Sequence, residues 1–307
     1  QWMNFIQQNN LFVLPVGEQG DWLRYHPLFL DFLQNTIIGE QPEVAKAILQ
    51  NLARVSIQYN EWDQAFSIYR KLGAQEDLIQ LIEKFGLEMI LQGRLSTLSS
   101  WFDSLPAEVL NAKPYIIALQ GNVAWVLGNT SLAMTLYNQA LNRMTLPDNR
   151  EEMIIVLSMR SATLRLSGKL EESIIDSSEI MSLIGSDESL IKQKGEALRC
   201  IGLCDFHKGN LQDALSNLES ALRIMSSIND GKNVAIIQIE IGLVYENLGD
   251  YSHSKEFYLS ALKYWKQVEN PLWLSNLLNN LGVLQQLMGD YKNASLSFEQ
   301  ALGYARS

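Results

Sequence analysis

Cys200, Cys204 and His207 come nearest, by type and spacing, to a chemical site in this chain. On a helix of about 3.6 residues per turn they fall at about 0°, 40° and −20°, a single stripe of three soft ligands. That is zinc chemistry, but a structural zinc site needs four ligands and no fourth can be nominated. The plainer reading is two small packing cysteines beside a histidine at a groove edge, so no metal and no cofactor is assigned. Other chemistries lack their parts. Gly-Lys occurs only before Leu170 and Asn233, so there is no phosphate-binding Gly-x-x-x-x-Gly-Lys-Ser/Thr loop, and neither H-E-x-x-H nor G-x-S-x-G occurs. The three histidines, His26, His207 and His253, are dispersed, which leaves no nucleophile–base constellation. No catalytic residue is assigned, and the chain is expected not to be an enzyme.

The elements that carry these residues are set by an internal repeat, which has to be sought before any fold is assigned. Gly128-Asn129, Gly168-Lys169, Gly209-Asn210, Gly249-Asp250 and Gly289-Asp290 recur at spacings of 40, 41, 40 and 40 residues. Seven residues before each turn glycine stand Gly121, Ser161, Gly202, Gly242 and Gly282; five after stand Ala133, Ser173, Ala214, Ser254 and Ala294. Nine after come Tyr137, Leu218, Tyr258 and Phe298, with Ser177 the exception. Glycine reaches the left-handed helix-end conformation cheaply, and Asn or Asp suits the adjoining turn. Small residues let two antiparallel helices approach, and the large one fills the space between. A single hairpin cannot bury both faces, so neighbours must stack into a solenoid. The unit around Gly168, with Ser161, Ser173 and Ser177 at packing positions, is expected to be the loosest.

Asn280-Leu281-Gly282-Val283, Gly289-Asp290-Tyr291, Ala294, Phe298 and Ala301-Leu302 together resemble the tetratricopeptide consensus. The usual unit is about 34 residues; the extra residues here fall between one hairpin and the next and predict longer helices and linkers. The resemblance implies that the first helix of each pair lines a concave groove. Counted from the turn glycine, the inward residues are Asn122, Trp125, Ser158, Arg165, Glu196, Arg199, Phe206, His207, Glu246, Asn247, Asn276, Asn279 and Gln286. Amide and guanidinium groups beside aromatic faces suit sugars, peptides or carboxylates, although each residue alone could be plain solvated lining. Arg199 is expected to serve a ligand with little part in stability.

Two less regular hairpins precede this array. Asn60-Glu61-Trp62 with Ala53, Ala65 and Tyr69, and Gly93-Arg94-Leu95 with Gly86, Leu98 and Phe102, repeat part of the pattern. Leu98, Trp101, Phe102 and Leu105 form a helical apolar stripe that Pro106 ends. Before them, the run Leu11 to Val16, the turn Gly17 to Gly20 and the segment Asp21 to Tyr25 predict two strands, and Pro27 a helix through Leu33. That order is the tail of a winged helix. Asn10-Leu11-Phe12-Val13-Leu14-Pro15, Trp22 through Leu33, and Trp101-Phe102-Asp103-Ser104-Leu105-Pro106 resemble the segment between ATPase and repeats in the MalT family. These are large LuxR-type bacterial transcription regulators of the signal-transduction ATPase class. The resemblance implies a sensor region whose ATPase and DNA-binding domains lie outside the chain. The family's best-known inducer is a maltooligosaccharide; nothing in this sequence selects a sugar.

The expected architecture is therefore all-α: a right-handed α-solenoid of tetratricopeptide-like hairpins with a small winged-helix remnant at its N-terminus. Residues 1–38 form the winged-helix part, 39–111 two irregular hairpins, and 112–307 five repeats of about 40 residues. The net charge of −10 disfavours direct nucleic-acid contact. Two cysteines fit a reducing compartment, and no run approaches the roughly 20 apolar residues of a membrane span, so a cytoplasmic location is expected. The opening Gln1-Trp2-Met3 reads as the middle of a domain, as in an excised fragment. The partner is expected to be a small-molecule inducer, with a peptide or partner helix as the alternative, and self-association is left open.

Overall fold

The turn dipeptide does two jobs in the structure. The five turn glycines have φ between 77° and 84°, and the residue after each donates its amide to the carbonyl five positions back, as Asn129 does to Ala124 at 2.8 Å and Asp250 to Tyr245 at 2.9 Å. This satisfies carbonyls that a helix end would otherwise orphan. At three of the five turns that residue also caps the next helix: Asn129, Asp250 and Asp290 accept from the amides of Leu132, His253 and Asn293 at 3.1, 3.2 and 3.3 Å, whereas Asn210 makes no such bond. At those three, one helix is closed and its partner opened within two residues.

The computed structural model describes residues 13–16, 22–26, 29, 32, 36–37 and 39–306. Most of the helix expected from Pro27 to Leu33, and the turn expected at Gly17 to Gly20, lie outside them. The chain divides into two compact units, Gln1–Ala107 and Glu108–Ser307.

In the first unit β1 (Val13–Val16) pairs antiparallel with β2 (Trp22–Tyr25), Val13 opposite Tyr25 and Val16 opposite Trp22. Four helices follow: α1 (Pro42–Gln58), α2 (Trp62–Lys71), α3 (Gln75–Leu91) and α4 (Leu95–Asp103). Asn60 turns α1 into α2 at φ 60°, and Gly93 turns α3 into α4 at φ 74°. Aromatic pairs join three of them: Phe66 of α2 stacks on Trp101 of α4 at 4.3 Å and Trp62 of α2 on Phe85 of α3 at 4.8 Å.

The second unit opens with the short α5 (Ala107–Ala112). Its hairpins are α6 (Pro114–Val126) with α7 (Thr130–Leu141), α8 (Arg150–Leu166) with α9 (Leu170–Ile184), and α10 (Ile191–Lys208) with α11 (Leu211–Ser227). They continue as α12 (Gly231–Asn247) with α13 (Tyr251–Val268) and α14 (Pro271–Leu287) with α15 (Tyr291–Ala305). Helices of 15 to 18 residues in the later pairs take up the extra length of the repeat. Within hairpins the small-against-large rule holds: a Cβ on Gly282 would lie 2.6 Å from the Phe298 ring, and one on Gly202 2.9 Å from Leu218. Between hairpins, apolar faces merge, with Trp265 stacked on Trp273 at 4.8 Å. First helices of successive pairs also touch, α6 with α8, α8 with α10 and α10 with α12, so they form one continuous wall.

The α8–α9 pair corrects an expectation. Ser161, Ser173 and Ser177 are all buried, yet they are not loose. Ser161 and Ser177 share a hydrogen bond of 3.0 Å, and Ser173 donates to the Ser161 carbonyl at 2.9 Å. A polar network takes the place of the glycine–aromatic contact.

Candidate functional site

The wall of first helices opens into a cavity of about 190 Å³. α8 supplies Ser158 and Arg165, α10 supplies Glu196, Arg199 and Cys200, and α12 supplies Asn233, over a floor that includes Ser161, Ser177 and Ile180. Four of the residues expected from repeat geometry thus come together: Ser158, Arg165, Glu196 and Arg199. Cys200, Asn233 and the serines join them unanticipated. Ser161 and Ser177 carried a signal, since they break the repeat rule; Asn233, in the first turn of α12, carried none.

Four arginines stand on α8 and α10, and three are bound to carboxylates. Arg160 grips Asp176 through two hydrogen bonds of 2.8 and 2.7 Å and reaches Asn138 at 2.7 Å, tying α7, α8 and α9 together. Arg150 bonds Asp187 and the carbonyls of Leu183 and Ile184 at the end of α9. Arg199 chelates Glu240, with one bond of 2.7 Å, and so links α10 to α12. Among the described residues Arg165 has no ion pair, and its Nε is buried without a hydrogen-bond partner.

Glu196 is half-buried, and burial raises its carboxyl above the usual carboxylate range, against the pull of Lys192 and Arg199. Beneath it the sulfur of Cys200 lies 3.0 Å from the Ser161 hydroxyl and 3.4 Å from that of Ser173, to which Cys204 also donates at 3.4 Å. Hydrogen bonding from Cys204 and the serines holds the Cys200 thiol below its ordinary value, with burial opposing, whereas hydrogen bonding to Cys200 and burial push Cys204 up. His207 is exposed, its ring tilted against Phe206 at 5.6 Å, and does not join the cysteines. No cluster of three or more His, Cys, Asp or Glu suited to a metal occurs among the described residues.

The remaining groove residues sit elsewhere. Asn122 is buried within 3.5 Å of the Tyr137 hydroxyl, and Glu246 accepts from the Tyr258 hydroxyl at 3.1 Å, so both serve their own hairpins. Trp125 and Phe206 are half-buried against the apolar clusters of their repeats. Asn247 is exposed and bonds back to its own helix at Leu243, and Asn276, Asn279 and Gln286 are exposed on α14. Arg199 departs from expectation too: its chelate with the largely buried Glu240 gives it a part in stability.

Hairpins of this register, stacked through their first helices, define a tetratricopeptide-repeat solenoid. The tetratricopeptide-repeat family matches residues 193–267 and 233–307, and the MalT winged helix domain matches residues 1–45. The chain thus joins a segment similar to the MalT winged helix to an array of tetratricopeptide repeats. It is 29% identical over 121 residues to the HTH-type transcriptional regulator MalT of Vibrio parahaemolyticus and 28% identical over 121 residues to that of Vibrio campbellii. Each alignment covers 39% of this chain and 13% of the relative. Among solved structures, a signal transduction ATPase with numerous domains and a tetratricopeptide repeat sensor from Pyrococcus horikoshii superposes with a TM-score of 0.73 at 16% identity, over 98% of this chain and 45% of that one. A Rap protein complexed with competence and sporulation factor gives 0.62 at 18% identity, over 85% of this chain and 76% of that one. At such identities these two share the fold. No helix among the described residues is long and apolar enough to cross a membrane.

Proposed function

We propose that this region is the inducer-sensing part of a MalT-like transcription regulator, with its ligand in the cavity between α8, α10 and α12. The observation that carries the reading is that one cavity is walled by the first helices of three successive repeats. A ligand touching all three fixes their mutual spacing, and so favours one pitch of the solenoid over others. Such a ligand shifts an equilibrium only by its preference for one state. The relay to ATPase and DNA-binding domains of the kind such regulators carry belongs to this proposal.

A partner-binding scaffold is the second reading. Exposed Asn276, Asn279 and Gln286 line up on α14, away from the cavity, and could hydrogen-bond an extended peptide. Thermal-shift screening against small molecules and peptides separates the two. A small molecule that raises Tm, and fails to do so when Ser158 and Asn233 are replaced by Leu, supports the sensor. A chain stabilised only by a protein partner, with Asn276 and Asn279 required, would establish the scaffold instead.

A further inference from the structure

Of the three charged side chains that line the cavity, Arg199 is held by Glu240, while Arg165 and Glu196, of opposite sign, have no hydrogen bond or ion pair among the described residues. Arg165 stands apart from Arg150, Arg160 and Arg199, each of which meets a carboxylate on a neighbouring segment. Its Nε is buried and unbonded. Leaving a buried donor unsatisfied costs about 1–3 kcal/mol.

Glu196 mirrors this. The two cations near it are Lys192 and Arg199, and both are engaged: Lys192 with Asp230 at 3.0 Å, Arg199 with Glu240. Asp230, the third charge nearby, repels it. Glu196 and Arg165 line the same cavity but do not bond to each other. The same lining carries Ser158 and Asn233, which can hydrogen-bond, and Arg199, whose charge is taken up by Glu240.

The spacing of the two charges follows from the repeat. Arg165 lies three residues before its turn glycine and Glu196 thirteen before its own, a difference of ten positions. At about 1.5 Å per residue that is about 15 Å along helices that run the same way. The long Arg165 side chain leans toward the N-terminus of its helix, and so toward the level of Glu196, which shortens the gap. An extended chain advances about 3.3 Å per residue, so two or three residues bridge what is left. A cavity of about 190 Å³ also lies below the roughly 300–1,000 Å³ of sites for drug-sized ligands, which suits a small ligand.

From this arrangement we infer that the cavity binds a short linear peptide of two or three residues with free termini, its carboxylate on Arg165 and its ammonium on Glu196. The inference rests on the inducer-sensing reading and gives its ligand a chemical class. Guanidinium binds carboxylate through two parallel hydrogen bonds. Ser158 and Asn233 then face the peptide bonds. An ammonium on Glu196 supplies the direct ion pair that Lys192 and Arg199, held by Asp230 and Glu240, do not make with it.

The experiment is calorimetric and thermal-shift titration of the whole chain with mixed dipeptides and tripeptides, their N-acetylated and C-amidated forms, and neutral glucose oligosaccharides. Uncapped peptides are expected to bind, and each cap to weaken binding about ten- to hundredfold, the loss of one charged hydrogen-bonded contact. Arg165→Gln should abolish the effect of amidation and Glu196→Gln that of acetylation, with Arg165→Lys recovering part of the affinity. Should either variant fail to fold, the capped and uncapped peptides on the unaltered chain still decide. Caps without effect would overturn the inference, and so would binding of the oligosaccharide alone, which would leave the sensor reading standing. Stabilisation by a protein partner and by no small molecule would remove both.

Discussion

Ser161 and Ser177 meet through their hydroxyls, 3.0 Å apart, where the neighbouring repeats set a glycine against Tyr137, Leu218, Tyr258 or Phe298. The backbone register is common to all five hairpins, but the means of filling the interface differs in this one. Polar groups buried here are also the floor of the cavity, and they are mutually satisfied. A filled glycine–aromatic contact at the same place would occupy the space over which Arg165 and Glu196 stand.

That substitution of one packing solution for another is testable. Ser177→Tyr alone sets a ring against the Cβ and hydroxyl of Ser161 and should cost about 1–3 kcal/mol through overpacking. Adding Ser161→Gly recreates the pairing of the other repeats and should recover most of that loss. Urea midpoints of the two variants are the measurement. A double variant no more stable than the single one would mean that the two positions are not interchangeable with a Gly–Tyr pair. The double variant is further expected to lose binding in the cavity.

Arg160 and Asp176 give the second prediction. Asp176 is 4% exposed and takes both of its charged hydrogen bonds from one guanidinium. Arg160→Met strands a buried carboxylate and should cost about 3 kcal/mol, toward the low end for a broken buried pair because Arg160 keeps some contact with water. Arg160→Met with Asp176→Leu should regain much of it, since an apolar pair of similar volume avoids the desolvation of both charges. Thermal melts of the three proteins at one salt concentration check this. A single variant as stable as the parent would show that the pair contributes nothing.

Much of this fold could be read from the residues because the repeat places them under the same constraint five times. Gly128, Gly168, Gly209, Gly249 and Gly289 all adopt the left-handed conformation that their turn role requires. The residues five and twelve after them, such as Ala133 and Ala140, are buried throughout. The site was legible only in part. Counting from the turn selects which residues face the groove, and so reached Ser158, Arg165, Glu196 and Arg199. It says nothing of what each side chain bonds. Whether Arg199 is free or chelated depends on Glu240, 41 residues away on another repeat. Asn122 was misjudged for the same reason, because its place under Tyr137 is a matter of side-chain packing within the hairpin.

Arg199→Ala is therefore expected to destabilise the chain by about 2–3 kcal/mol, since it leaves Glu240, only 12% exposed, without its cation. Loss of ligand in that variant alone would be uninformative. Arg199→Ala with Glu240→Gln removes the stranded charge and should restore part of the stability. If ligand affinity follows stability through the three proteins, Arg199 acts on the site through the link between α10 and α12. If affinity stays low in the rescued double variant, Arg199 touches the ligand.

Glu196 gives the last prediction, and its sign is set by burial. Burial raises the carboxyl above its ordinary value, so the folded chain holds that proton more tightly than the unfolded chain does. The contribution of this group to stability is fully present below the unfolded value of about 4.3 and is lost as pH rises through the folded value. Near neutrality the ionised Glu196 weighs against folding, even with Lys192 and Arg199 on its own helix drawing its pKa back, while Asp230 at the start of α12 adds to the rise. Glu196→Gln should accordingly raise Tm at about pH 7 and leave it nearly unchanged at about pH 4, where the parent's carboxyl is protonated in the folded state. Melts of both proteins across this range make the comparison. A lower Tm for the variant at neutral pH would place a cation on Glu196 in the unliganded chain and remove it from the unpaired charges of the cavity.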